Sequence, residues 1–271
     1  MPKVIEPLRQ DKKLSATLKE ECPKRVLLFF WHGLGGLIMF LEPFRALRDQ
    51  FKDIHFDLGV VAGIGQDEVY PGAIGFTTDK DLDKQDYDLV AKIHFPMSEG
   101  QEEFTKGEFC CIHELGIDPT WGHSAPDMII KNRLISVHFN ITCLPGSCNP
   151  DEETARKIWD EILAEGYIPI ESHFQHTFHN PVNKKFDFVD CTVRRCIPQI
   201  STLAGLLQKS AAFIGVVSGN FHVAMSVLPC NRVMLLEKDF TAPMFTKLPT
   251  GRCSIKPYKE GSVSAWIKGL Q

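Results

Sequence analysis

Two strand-to-helix junctions hold the residues whose types and spacing suit chemistry on a charged ligand. The first is His32-Gly33-Leu34-Gly35-Gly36, directly after the apolar run RVLLFFW at 25–31. Glycine in such a turn lets backbone approach a ligand, and the N–H groups and dipole of the following helix favour an anion. The second is Ser218-Gly219-Asn220, with His222 in the first turn of the helix beyond it. Ser218 is a suitable cap, and the N-terminus of that helix can hold a phosphate. Arg194 and Arg195 in CTVRRC carry guanidinium groups that pair well with diphosphate oxygens. Two side chains could serve as general base: His32, beside the glycine turn, or Glu42, expected about one turn into the next helix.

Other chemistries fit the pattern less well. The dinucleotide fingerprint G-x-G-x-x-G is not met, and the G-K-[ST] of a nucleotide-binding P-loop is absent. His-Gly-x-Gly-Gly after a strand is similar to the oxyanion loop of α/β-hydrolases, but that reading needs a G-x-S-x-G elbow and the chain has none. A hydrolase is therefore the minor alternative. His173, His176 and His179 are spaced three apart and would share one face of a helix. The adjoining Asn180-Pro181 and loop-like composition point instead to a polar loop, so no metal is assigned. Nine cysteines, with Cys143/Cys148 and Cys191/Cys196 spaced C-x4-C and Cys110 adjacent to Cys111, read as reduced thiols rather than a zinc site. The run DKDLDKQDYD at 79–88 reads as a solvated face.

The elements that position the two junctions follow from apolar patterning. Residues 1–22 read as a loose leader or short helix. Residues 25–31 form a strand buried on both faces, 37–51 a helix that begins or kinks at Pro43, and 54–61 a second strand. Residues 63–86 read as loops around a short segment, 87–95 as a strand, 100–115 as a helix and 134–141 as a strand. The grammar then restarts: a helix at 151–165 opened by Asn149-Pro150-Asp151-Glu152-Glu153 and closed at Gly166, and a strand at 167–170. An irregular stretch at 172–198 leads to a helix at 200–210 and a strand at 213–217. A short helix at 220–227, a strand at 233–236 and a closing helix at 261–270 complete the chain. This is an α/β chain of two Rossmann-like domains facing a cleft, divided as 1–128 and 129–271. Ligands of such sheets sit outside the carboxyl ends of the strands, where both junctions fall.

Composition agrees. A length of 271 residues over about 150 per domain gives about two domains. A net charge of −4 argues against nucleic-acid binding by bulk charge. No apolar run approaches a membrane span, and MPKVIEPLRQDKKL has no apolar signal region, so the expected location is cytoplasmic.

Taken together, GLGGLIMFLEPFRALRDQF and TLAGLLQKSAAFIGVVSGNFHVAMSVLPCNRVMLL resemble glycosyltransferase family 9, the ADP-heptose lipopolysaccharide heptosyltransferases of the GT-B fold. The first is similar to that family's G-x-G-D-hydrophobic loop and helix, the second to its D-S-G-x-x-H-hydrophobic-A segment. The resemblance implies an acceptor-side N-terminal domain and a nucleotide-sugar-binding C-terminal domain. It implies inverting transfer of a sugar from a nucleotide-sugar, with no further cofactor, to a glycan or glycolipid in lipopolysaccharide biosynthesis, and peripheral contact with a membrane. The ligand residues it implies are Gly33, Gly35, Gly36, Ser218, Gly219, Asn220 and His222. Gly36 stands where the family has its acidic base and Val217 where it has the Asp of D-S-G. These departures keep open a catalytically inactive sugar- or nucleotide-binding descendant.

Overall fold

The computed structural model describes residues 2–62, 66–77, 86–95, 106–118, 133–140, 149–174, 194–197, 199–238 and 251–270. The side chains of 67, 106, 172–174 and 194–197 lie outside that description. The described residues form two compact units, one within Met1–His123 and one within Ser124–Ala242 and Leu248–Gln271.

The first unit is built on a parallel sheet of β1 (Lys3–Ile5), β2 (Arg25–Phe30), β3 (His55–Val61), β4 (Ala73–Phe76) and β5 (Leu89–Ile93). Its spatial order is β1-β5-β2-β3-β4. The run at 25–30 is continuously apolar because β2 is covered on both faces. Val26, Leu28 and Phe30 pack on one side with Leu37, Phe40, Phe44 and Leu47 of α2 (Leu34–Gln50), while Leu27 and Phe29 pack on the other with Phe76, Tyr87 and Val90. This alternation is the period of two of a strand. Phe30 stacks on Phe40 with ring centroids 4.5 Å apart and meets Phe95 edge-on at 5.4 Å. Each such buried side chain is worth roughly 1.5–3 kcal/mol. The remaining helices are α1 (Leu14–Glu21), α3 (Gln66–Val69) and α4 (Lys106–Phe109), the last continuing into a π-helical segment at Cys110–Leu115.

The second unit carries β6 (Leu134–His138), β7 (Ile168–Phe174), β8 (Arg194–Ile197), β9 (Ala212–Val216), β10 (Val233–Glu237) and β11 (Gly251–Ser254). These are parallel, in the order β11-β10-β9-β6-β7-β8. Its helices are α5 (Glu152–Ala164), α6 (Ile200–Lys209), α7 (Gly219–Val227) and α8 (Ser262–Lys268). Asp151 caps α5, accepting the Thr154 N–H at 2.8 Å, and Gly166 sits beyond its C-terminus at φ 77°. Only glycine adopts that left-handed conformation without strain. Glu161 of α5 accepts the N–H groups of Gly261 (2.8 Å) and Ser264 (2.7 Å), so a carboxylate holds the N-terminus of α8 against α5.

The structure departs from the sequence expectations at several places. β1 lies in the segment expected to be a leader or helix, β4 among expected loops, and β7 and β8 extend into the stretch expected to be irregular. α2 begins at Leu34 and runs through Pro43 rather than starting there. The glycines at 35 and 36 belong to its first turn.

Removing the Asp151 cap should cost about 1 kcal/mol. Asp151→Ala is expected to lower the melting temperature by roughly 2–4 °C, measured by calorimetry on the full chain.

Candidate functional site

In the first unit the carboxyl ends of β1, β5 and β2 are neighbours in the sheet and deliver Glu6, His94-Phe95 and His32. His32 donates from Nε2 to the His94 carbonyl at 2.7 Å. A carbonyl only accepts, so the neutral ring carries its proton on Nε2 and its lone pair on Nδ1. The imidazole lies 4.7 Å from the Phe30 ring and 5.9 Å from Phe95. His94 in turn donates from its own Nε2 to Glu6 Oε2 at 3.1 Å. Trp31, beside His32, is 46% exposed, a large apolar face in solvent at the same strand end.

Gly33 precedes α2 and supplies no side-chain acceptor to its first turn. Gly36 is glycine for want of space: a Cβ there would stand 2.8 Å from His32 Cβ and 3.4 Å from Cγ. Glu42 sits further along than expected, because the helix starts at Leu34. It lies roughly two turns in, about 9 Å along the axis from Gly36, and pairs at the surface with Arg45 at 3.0 Å. The two candidate bases are thus differently placed: His32 is fixed at the strand end, Glu42 belongs to a solvent-facing ion pair.

Beneath this strand end lies Glu114, fully buried in the π-helical segment. Its carboxylate accepts the N–H groups of His94 (2.6 Å) and Phe95 (3.0 Å) and the Cys110 thiol (3.6 Å). Burial pushes this carboxyl above its ordinary range, while the two backbone N–H groups oppose the rise. Phe95 adopts φ 47°. Sequence reading missed Glu6, His94 and Glu114, since nothing in their spacing brings three separate segments to one strand end.

In the second unit Ser218 Oγ caps α7, accepting the Phe221 N–H at 3.4 Å. Engaged as a cap, Ser218 is not presented as a hydrolase nucleophile. Asn220 donates from Nδ2 to His138 Nδ1 at 3.3 Å, both side chains buried. His138 ends β6, next to β9, and was not singled out from the sequence. His222 is buried in α7 with its ring 5.3 Å from Phe221. The structure therefore gathers Ser218, Gly219, Asn220 and His138 at the carboxyl ends of β9 and β6. Arg194 and Arg195 lie on β8, three strand positions from β9, about 14 Å across the sheet.

His176, His179, Cys143, Cys148 and Cys191 lie outside the described residues, as do the side chains of His173 and Cys196 and most of the run 79–88. Cys110, Cys111 and Cys253 are buried free thiols, as expected of core cysteines. Among the described residues no cluster of His, Cys, Asp or Glu is arranged to hold a metal, and no helix is long and apolar enough to cross a membrane.

Known structures share this architecture. A glycosyltransferase family 9 protein from Veillonella parvula superimposes with a TM-score of 0.62 at 14% identity, over 91% of this chain and 97% of that one. The iron-containing dodecameric glycosyltransferase TibC from enterotoxigenic E. coli gives 0.60 at 14%, over 92% and 76%. E. coli heptosyltransferase WaaC, solved with ADP, gives 0.58 at 11%, over 91% and 100%. The chain has the heptosyltransferase fold. No family model and no curated protein matches it by sequence. The expected α/β, GT-B-like architecture is thereby found.

At the carboxyl end of β10, Glu237 is buried, and neither of its oxygens accepts a hydrogen bond among the described residues. Arg252 Nη1 stands 3.7 Å from Oε2. Burial pushes this carboxyl above its ordinary range and Arg252 pulls it partly back. A value raised by folding favours the native state below the unfolded value near 4.5, and that advantage is lost as pH rises through the folded value. Glu237→Gln is expected to melt above the wild type at about pH 7.5 and to converge with it toward pH 4, read from melting curves across pH.

Proposed function

We propose that the chain transfers a sugar from a nucleotide-sugar to a hydroxyl of a glycan or glycolipid acceptor, with inversion at the anomeric carbon. The acceptor oxygen bonds to that carbon as the carbon–oxygen bond to the diphosphate breaks. The acceptor proton passes to Nδ1 of His32, and the nucleoside diphosphate leaves with the bonding electron pair. On this reading the diphosphate meets the first turn of α7 at Ser218, Gly219 and Asn220, where N–H groups and the helix dipole stabilise developing charge. Arg194 and Arg195 add long-range positive charge, and no further cofactor is required. Acceptor handling belongs to the first unit, where Trp31 offers a face for a sugar ring, and the protein works in the cytoplasm at a membrane edge.

The observation that carries this reading is the close approach of His32 and Gly36. Family 9 enzymes, which the sequence resembles, place an acid at the position of Gly36. Here a side chain at 36 would collide with His32 Cβ at 2.8 Å. The space of one potential base is taken by another whose ring is held by the His94 carbonyl at 2.7 Å. A catalytically inactive nucleotide-sugar-binding protein is the second reading, favoured by Val217 in place of the second acid.

One experiment separates the two. Thermal shift with ADP, UDP, GDP and CMP and their sugar conjugates should show a selective rise; TibC and WaaC have been solved with ADP-heptose and ADP, which puts adenine nucleotides first. A ligand at a hundredfold excess over Kd adds about 2.7 kcal/mol, a shift of roughly 5–10 °C. Turnover is then assayed with the selected sugar. His32→Gln is expected to lower kcat by about 10²–10⁴ with the nucleotide shift intact. A selective shift without wild-type turnover assigns the binding reading, and no shift with any nucleotide defeats both.

A further inference from the structure

The turn at His94-Phe95 is built more heavily than a strand end requires. Phe95 is fully buried, yet its backbone sits at φ 47°, in the left-handed region that disfavours a bulky residue. Such a conformation is strained and persists only where the surroundings over-determine it. Here they do. The two consecutive N–H groups of His94 and Phe95 both end on the carboxylate of Glu114, one on each oxygen, at 2.6 and 3.0 Å. Glu114 is itself fully buried, held from the far side by the Cys110 thiol. A buried carboxylate is costly to desolvate, and two of the three hydrogen bonds this one accepts come from backbone. Around it Cys110, Cys111 and Leu115 pack into the apolar cluster.

On its outer side the clamp fixes one group. With both N–H groups of the turn directed inward to Glu114, the His94 carbonyl is directed to Nε2 of His32, at 2.7 Å. The His94 ring is secured separately, by Glu6 at 3.1 Å. The chain of contacts runs Glu114 carboxylate, backbone of 94–95, His94 carbonyl, His32 Nε2.

We infer that Glu114 is a positioning residue for His32: through the clamped 94–95 turn it holds the imidazole in one orientation and in the Nε2–H tautomer. Nδ1 is thereby kept as the nitrogen that accepts a proton. The inference rests on the proposed transferase reading only for what Nδ1 does; the tautomer itself is a property of the protein without substrate.

The test reads that tautomer directly. Full-length protein carrying ¹⁵N-histidine is studied by long-range ¹H–¹⁵N correlation at about pH 8, with His32 assigned from the His32→Gln variant. The wild type should show His32 as the Nε2–H form. Glu114→Gln keeps the shape of the side chain but sets an amide NH2 against one of the two backbone donors. In a variant shown folded by its circular dichroism, the ratio of Nε2–H to Nδ1–H forms should fall by about tenfold, the equivalent of about one hydrogen bond. His94→Ala removes the ring but keeps the carbonyl, and should leave the His32 tautomer unchanged. A folded Glu114→Gln protein with an unaltered tautomer, a wild type in the Nδ1–H form, or a tautomer that depends on the His94 ring would each overturn the inference. If Glu114→Gln fails to fold, Glu114→Asp is read in its place: its shorter carboxylate reaches the turn less well, and the ratio should fall in the same direction, an unaltered ratio overturning the inference. Loss of the transferase reading, seen as no turnover in the wild type, or of His32 as its base, seen as full turnover in His32→Gln, leaves these spectra as they are.

Discussion

The first unit's strand end depends on one steric fact. The first turn of α2 passes so close to His32 that residue 36 has no room for a side chain, the nearest His32 atom lying 2.8 Å from where a Cβ would be. Close packing makes this a choice between two arrangements rather than a matter of degree, since interiors do not yield by several tenths of an ångström without repacking. With glycine at 36, the helix can start at Leu34, immediately after the loop, and bring Leu37, Phe40 and Phe44 down on β2. Phe30 and Phe95 then close around the imidazole. The apolar core of the unit and the placement of its strand-end imidazole are consequences of the same packing.

In both units some of the buried polar groups lie where strands end. Glu114 lies against the end of β5, His138 and Asn220 at the end of β6, and Glu237 at the end of β10. Buried polar groups destabilise unless they are partnered, so each of these strand-end groups is held at a cost. In parallel sheets the strand-end edge is where helix N-termini and loop backbone face outward, and it is where such folds bind ligands. Surface ion pairs such as Glu153–Lys157 and Glu42–Arg45 lie on helix faces and add at most a few tenths of a kilocalorie each.

The division between elements legible in the sequence and those that were not is a physical one. Strands buried on both faces, such as RVLLFF and AFIGV, stand out as apolar runs, and the helices between them as amphipathic stretches with caps at Asp151 and Ser218. The four strands not foreseen, β1, β4, β8 and β11, are the four sheet edges, each three or four residues long. Edge strands are short and half-covered, so they carry no run and little alternation. At the site, His32, Ser218 and Asn220 were legible because glycine and cap chemistry mark strand-to-helix junctions. Glu114 was not, because its partners are backbone N–H groups nineteen and twenty positions away, and backbone leaves no trace in residue type. Pro43 misled for a related reason: its missing N–H suggests a helix start, but burial of α2 against the sheet outweighs one lost hydrogen bond.

The two departures from the family 9 pattern differ in kind. Gly36 is matched in space by His32, so the loss of an acid there comes with another titratable group in its place. Val217 is half-buried between β9 and the cap Ser218 and brings no such substitute. For a diphosphate at α7, as proposed, its effect is nonetheless favourable in sign. An acid beside a helix N-terminus competes with an anionic ligand for the same dipole, which is worth about 0.3–1 kcal/mol at an exposed site and up to about 2 when partly buried. With valine at 217 that competition is absent, in a chain whose net charge of −4 otherwise opposes anions. The second departure therefore does not oppose binding of the proposed diphosphate, and nucleotide affinity is the property on which the active and inactive readings agree.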